Sequence, residues 1–140
     1  MTSEIRLIKL SPTVRYAIQG MGAIARLPAG NFILVDKIAG FRHLPSNYLA
    51  KIFQRLAHRG LLHSRRGPGG GYSLAKKPER VRLLDIVRAV EEPVAPGHQC
   101  LLGFCSNGKV GRCVAHKHVV QADKKLKTML GRLTLADLGN

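Results

Sequence analysis

The sequence predicts a mainly α-helical chain with one small β-hairpin wing, arranged as a winged helix-turn-helix followed by a long C-terminal helix. Two observations carry this. Apolar residues recur every three or four positions in segments punctuated by Gly and Pro, and one glycine-rich, arginine-flanked stretch lies between two short extended runs. A third agrees with them: 23 Lys and Arg against 8 Asp and Glu give the 140 residues a formal charge of +15, while a 45% hydrophobic content is enough for a core. Such a balance describes one folded domain whose surface seeks a polyanion.

Ser11-Pro12 has the form of an N-cap with proline at the first helical position. Val14, Ala17, Ile18, Met21, Ile24 and Ala25 continue at helical spacing until Pro28, which predicts a first helix of about four turns. Phe32-Ile33-Leu34-Val35 predicts a brief extended entry, and the residues from Asp36 to the stop at Gly40 predict a two-turn helix. After a short connection Pro45 opens another helix with apolar positions Tyr48, Leu49, Ile52, Phe53 and Leu56, ended by Gly60. Two short helices joined by a few residues form the helix-turn-helix pattern, whose second helix fits a DNA major groove.

Leu61-Leu62-His63-Ser64 and Tyr72-Ser73-Leu74-Ala75 flank Arg65-Arg66-Gly67-Pro68-Gly69-Gly70-Gly71 and predict the hairpin. Its glycines, Gly69 and Gly70 among them, permit close backbone approach, and Arg65 and Arg66 suit phosphate or a minor groove. A nucleotide-cradling loop would need Lys-Ser/Thr after the glycines and a helix opening there, and neither is present. Val81 to Val90 predicts a helix returning to the core. From about Cys113 a final amphipathic helix is expected, with Val119, Ala122, Leu126, Met129, Leu130 and Leu133 in one stripe. Little chain remains to cover that stripe, so it is expected to meet a second copy, the first helix of its own chain, or both.

The three cysteines follow the spacing Cys100-x4-Cys105-x7-Cys113-x2-His116 in a segment rich in Gly, Ser and Asn. An odd count cannot close an intrachain disulfide framework, which leaves metal binding or thiol chemistry. Cys113 and His116 would share one helical face. Three thiolates with an imidazole suit an iron–sulfur cluster or zinc and not magnesium or calcium, and free thiols acting as a redox switch are the third possibility. His98 and His118 are weaker substitutes for His116. His43, His58 and His63 surround the helix pair and hairpin, where phosphate contact or plain exposure explains them.

In the second helix of the pair, Ser46 and Asn47 stand at the N-terminal end to meet base edges or phosphate, Tyr48 to donate to phosphate, and Lys51 and Arg55 one turn apart on one face. Arg15, or its neighbour Thr13, is expected on backbone phosphate. The 5% aromatic content offers few stacking platforms, which disfavours a basic RNA-binding protein. No paired carboxylates, nucleophile elbow or nucleotide motif points to an enzyme. No run approaches a membrane span, and the start Met1-Thr2-Ser3-Glu4 lacks a secretory pattern, so the expected location is cytoplasmic.

At Arg65-Arg66-Gly67-Pro68-Gly69-Gly70-Gly71-Tyr72, followed by Leu83-Leu84-Asp85-Ile86-Val87-Arg88-Ala89-Val90-Glu91-Glu92-Pro93, the chain resembles the Rrf family of bacterial regulators. The likeness runs from Val14-Arg15-Tyr16-Ala17 to Thr134-Leu135-Ala136-Asp137-Leu138. The resemblance implies a homodimeric winged-helix transcription factor, a repressor, on a pseudo-palindromic duplex operator. It also implies crossed C-terminal helices and, in many members, control by an iron–sulfur cluster. It places Ser46, Asn47, Tyr48 and Lys51 at the exposed start of the recognition helix and Arg66 in the wing. Ala50 stands where some members carry a glutamate that restricts DNA choice, so base preference does not transfer. Where one branch takes a carboxylate ligand for a [4Fe-4S] cluster, this chain has the cation Arg15, which favours His116 as fourth ligand and a [2Fe-2S] cluster. The implied division is a DNA-binding domain over 1–92, a cysteine-rich loop over 93–116 and a dimerisation helix with tail over 113–140.

Overall fold

The computed structural model describes residues 7–92, 102 and 114–138. Helix α1 spans Pro12–Ala25, α2 Val35–Arg42, α3 Ser46–His58, α4 Leu83–Val90 and α5 His116–Arg132; strands β1, Leu62–Arg65, and β2, Gly71–Leu74, form the hairpin. Short 3₁₀ turns occupy Pro78–Arg80 and Leu135–Leu138.

Helix α1 starts as its sequence predicts. Ser11 is extended, its Oγ accepts the Val14 N–H at 3.2 Å, and Pro12 takes the first turn, where no amide partner is needed. One face of α1 buries Val14, Ala17, Met21 and Ile24 against the Leu49, Ile52, Phe53 and Leu56 stripe of α3. The crossing is close. A Cβ added to Gly20 would lie 2.7 Å from the Phe53 ring, so only hydrogen fits at the contact.

Helix α2 differs from its expected end. It runs through Gly40 to Arg42 and stops where His43 turns left-handed at φ 54°, because two carbonyls of the last turn are satisfied by the His43 N–H. The extended entry before it is a single antiparallel bridge, Ile33 to Tyr72, with Ile33 N–H to Tyr72 O at 3.0 Å and Tyr72 N–H to Ile33 O at 2.9 Å. These bonds attach the wing to the helix pair. The β1–β2 register sets Leu62 opposite Leu74 and Arg65 opposite Gly71. Gly71 holds φ +121°, and a Cβ there would come 2.1 Å from the Ile33 carbonyl oxygen, so the attachment requires glycine at this position. Tyr72 then lays its ring edge-on to Phe53, centroids 5.3 Å apart.

The helix expected from Val81 begins two residues later. Val81 is extended and accepts the Leu135 N–H at 2.9 Å, while Arg82 bridges Thr134. Burying Val81 beside Leu135 wins over extending the helix by half a turn. Asp85 closes the start of α4, accepting the Arg82 N–H at 3.1 Å and pairing its guanidinium at 3.0 Å. Burial pushes the Asp85 carboxyl upward, but hydrogen bonds from the Arg82 side chain and backbone and the charges of Arg82 and Lys76 bring it below its usual value.

Helix α5 is described from His116, three residues beyond the expected start at Cys113, which itself lies outside the described residues. Its C-terminal end and the 3₁₀ turn after it belong to the core: Leu130 of α5 and Leu135 of the turn are buried with Leu83 and Leu84. Among the described residues, no helix is long and apolar enough to cross a membrane.

Candidate nucleic-acid interface

Burying Leu49, Ile52, Phe53 and Leu56 turns the remaining face of α3 outward, with Asn47, Lys51, Gln54, Arg55 and His58 all exposed. Ser46, the first residue, is half-buried and donates its hydroxyl to the Asp36 carboxylate of α2. Tyr48 is 39% exposed, but it is anchored: its hydroxyl shares a hydrogen bond with Thr13, and its ring meets Tyr16 edge-on at 5.7 Å. Arg15 points outward from α1 and is exposed.

The wing lies beside this face. A groove of about 530 Å³ between α2, α3 and the hairpin is lined by Asp36, Gln54, Ser64, Arg65 and Arg66 among others. The Arg65 guanidinium stacks 4.0 Å from the centre of the Phe32 ring, which holds the charged tip in place while leaving the residue exposed. Arg66 is exposed, as is Gly69 at the tip. Gly70 is buried, its N–H closing the tip turn on Gly67 O at 2.9 Å.

Arg55 lines a pocket with Lys51 and His58 and also reaches α4. One of its Nη atoms donates to Val90 O at 3.1 Å and the other lies 3.9 Å from Glu92, so this side chain ties α3 to the end of α4. On the other side Ser11 Oγ donates to Glu91. The two glutamates that precede Pro93 thus hold α1 and α3.

The structure therefore brings Arg65 and Arg66 to one groove with Gln54 and Asp36, and Asp36 holds Ser46. Lys51 lines a neighbouring pocket with Gln54, Arg55 and His58, Gly69 lies at the wing tip, Asn47 and Arg15 are exposed, and Tyr48 is tied to α1. Gln54 and Asp36 join the wing arginines without having been singled out in the sequence. A helical wheel drawn from Lys51 would have found Gln54, but the pairing of Asp36 with Ser46 crosses two helices. Between residues 7 and 78 there are twelve Lys and Arg and one acid, Asp36, so this part of the chain carries a strong positive balance.

Cys100, Cys105 and Cys113, and also His98, lie outside the described residues. His116 is the first residue of α5 and half-exposed, and among the described residues no three His, Cys, Asp or Glu side chains gather into a metal-binding group.

Comparison with known proteins gives this arrangement its family. Residues 10–140 match the Rrf2 family model, described as an iron-dependent transcriptional regulator. The transcriptional regulator IscR of Escherichia coli is 32% identical over 134 residues, covering 95% of this chain and 81% of the relative. Two solved structures share the fold: the IscR of T. potens, with a TM-score of 0.75, 26% identity and coverage of 94% and 86%, and CymR, the global cysteine regulator of B. subtilis, with 0.74, 26% and coverage of 95% and 97%. Helix pair, hairpin wing and nearly full-length sequence similarity agree, and the chain belongs to the Rrf2 family of winged-helix transcriptional regulators.

Proposed function

We propose that the protein is a cytoplasmic repressor that binds a pseudo-palindromic DNA operator as a homodimer, with affinity set by an iron–sulfur cluster responding to redox state, iron or cluster supply, or nitric oxide. One observation supports operator binding above all: an outward α3 face and an arginine wing flank one groove, within a stretch, residues 7–78, that holds twelve Lys and Arg and one acid. An α-helix of this exposure fits a major groove, and an arginine-bearing hairpin fits the adjoining backbone or minor groove. In this proposal Asn47 and Lys51 meet base edges or phosphates, Ser46 meets a base edge, and Arg65, Arg66 and the Gly69-Gly70 tip meet the backbone. Tyr48 and Arg15 contact flanking phosphate. Arg55 serves chiefly to hold α3 on α4.

Dimerisation through residues 113–140 is supported by the uncovered stripe of α5, where Met129 is 46% exposed and Ala122 is exposed. The DNA-binding unit then spans 1–92 and the cysteine-bearing loop 93–116.

The donor set supports a cluster. Cys100, Cys105 and Cys113 would supply thiolates and His116 an imidazole, a combination that fits [2Fe-2S] and also fits zinc. When bound, a cluster supplies a centre that reacts with electrons, oxygen or nitric oxide. The residues that would transmit its state are those at the end of α4, Val90 to Glu92, through their bonds to Arg55 and Ser11.

A second reading keeps the DNA-binding scaffold and replaces the cluster by thiol oxidation, zinc or a protein partner. The likeness to the global cysteine regulator, as strong as that to the T. potens IscR, favours it.

The deciding experiment is anaerobic purification with iron, sulfide and zinc analysis and an absorption spectrum, followed by duplex shift assays before and after air or nitric oxide. Visible absorption that disappears in Cys105→Ala, with operator affinity changed, is expected. Colourless protein whose duplex binding responds to thiol oxidants would establish the second reading. Equal binding to RNA and duplex would overturn both.

A further inference from the structure

We propose that Asp36 determines base specificity: with Ser46 it forms an acceptor-only element at the start of α3 that selects an exocyclic amino group, cytosine N4 or adenine N6, in the major groove. This rests on the operator binding proposed above. Asp36 is the single carboxylate among residues 7–78, and it lies in the groove that Arg65, Arg66 and Gln54 also line. A negative charge there opposes phosphate, so it lowers general affinity for any duplex. Its presence is therefore better matched to discrimination, since specificity is gained by penalising wrong partners as well as by attracting right ones.

The bond to Ser46 gives that discrimination a direction. An ionised carboxylate carries no proton, so the hydroxyl of Ser46 must be the donor. With its hydrogen committed, the Ser46 oxygen offers only lone pairs, as do the carboxylate oxygens. Serine alone would be indifferent, because a free hydroxyl rotates to donate or accept. Held by Asp36, it meets the amino groups of cytosine and adenine favourably and the bare acceptors of guanine O6, N7 and thymine O4 unfavourably. Asp36 is exposed and lies 4 Å or closer to no cation among the described residues, so its charge is not cancelled by an ion pair. Its place in the first turn of α2 also suits the helix dipole. That contribution alone would alter melting temperature and leave base choice untouched.

Selection from a random duplex pool separates the two. The full-length protein, Asp36→Ala, Asp36→Asn and Ser46→Ala are each carried through selection, and affinities are measured on the enriched duplex and its single-base variants. Wild type is expected to enrich a motif with cytosine or adenine at one position per half-site, discriminating by about five- to hundredfold there. Asp36→Ala and Ser46→Ala should flatten the preference at that same position, with tighter binding of Asp36→Ala to unrelated duplex. Asp36→Asn, which adds an amide donor, should move the preference towards guanine or thymine. An unchanged motif in both Asp36→Ala and Ser46→Ala, or guanine or thymine in wild type at every position these variants affect, overturns the proposal. If wild type enriches nothing, operator binding itself fails.

Discussion

Helices α3 and α5 carry apolar stripes of the same helical spacing, yet the fold treats them differently. In α3 the residues Leu49, Ile52, Phe53 and Leu56 are all buried, pressed between α1 and the wing. In α5 only Leu130 is buried; Val119 and Leu126 are half-covered, and Ala122 and Met129 are exposed. The difference teaches that periodicity specifies a face and leaves its partner unspecified. Helix α3 packs against four elements of its own chain, α1, α2, α4 and β1, whereas α5 packs chiefly against α4.

The sharpest way to break the α3 side is Phe53→Ala, which empties a fully buried site in contact with Gly20 and Tyr72. We expect a loss of about 3–5 kcal/mol, read as a lowered denaturant midpoint. Next, Gly71→Ala drives a methyl group into the Ile33 carbonyl at a left-handed φ and should cost about 3 kcal/mol, with the wing's amides losing exchange protection before those of α1. Equal loss of protection across both would show that the wing is not attached through this point alone.

A smaller effect is expected from Asp85→Asn at the start of α4. The native carboxyl titrates below its usual value of 3.8, so its ionised form stabilises the fold above that pH, and the contribution fades as pH falls through the native value. The half-buried pair with Arg82 should amount to about 0.5–1 kcal/mol at neutral pH, and wild type and variant melts should converge in acid. Smallest in its effect on the folded protomer is Met129→Ser, expected within about 0.5 kcal/mol because the side chain is largely uncovered. The same substitution should weaken self-association in sedimentation. An unchanged mass distribution would mean that the α5 stripe is covered by something other than a second copy.

Much of this was legible in residues read singly. Ser11-Pro12 marked the start of α1, the turn signals bracketed the hairpin, and the surplus of cations pointed to a polyanion. Boundaries were less legible where distant chain competes with local preference. Val81 left the predicted helix because Leu135 offered it a backbone partner, and α2 passed Gly40 because His43 accepted the left-handed stop. Arg55 lines one pocket with Lys51, as their one-turn spacing predicts, and its guanidinium also reaches Val90 on another helix, which that spacing does not reveal. A long side chain is free to choose among neighbours that helical spacing does not reveal.

Taken by itself, the order of residues determined which segments are helical, where the wing turns and how far cations outnumber acids, and it raised the expectation of a sulfur-ligated centre on its three cysteines. These are consequences of short-range geometry and composition. Only the tertiary structure decided that Asp36 meets Ser46, that Gly20 and Gly71 admit no side chain, and that one apolar stripe is covered while another is left open. Such facts depend on groups far apart in the chain arriving within a few ångströms, and packing of the whole core sets those distances.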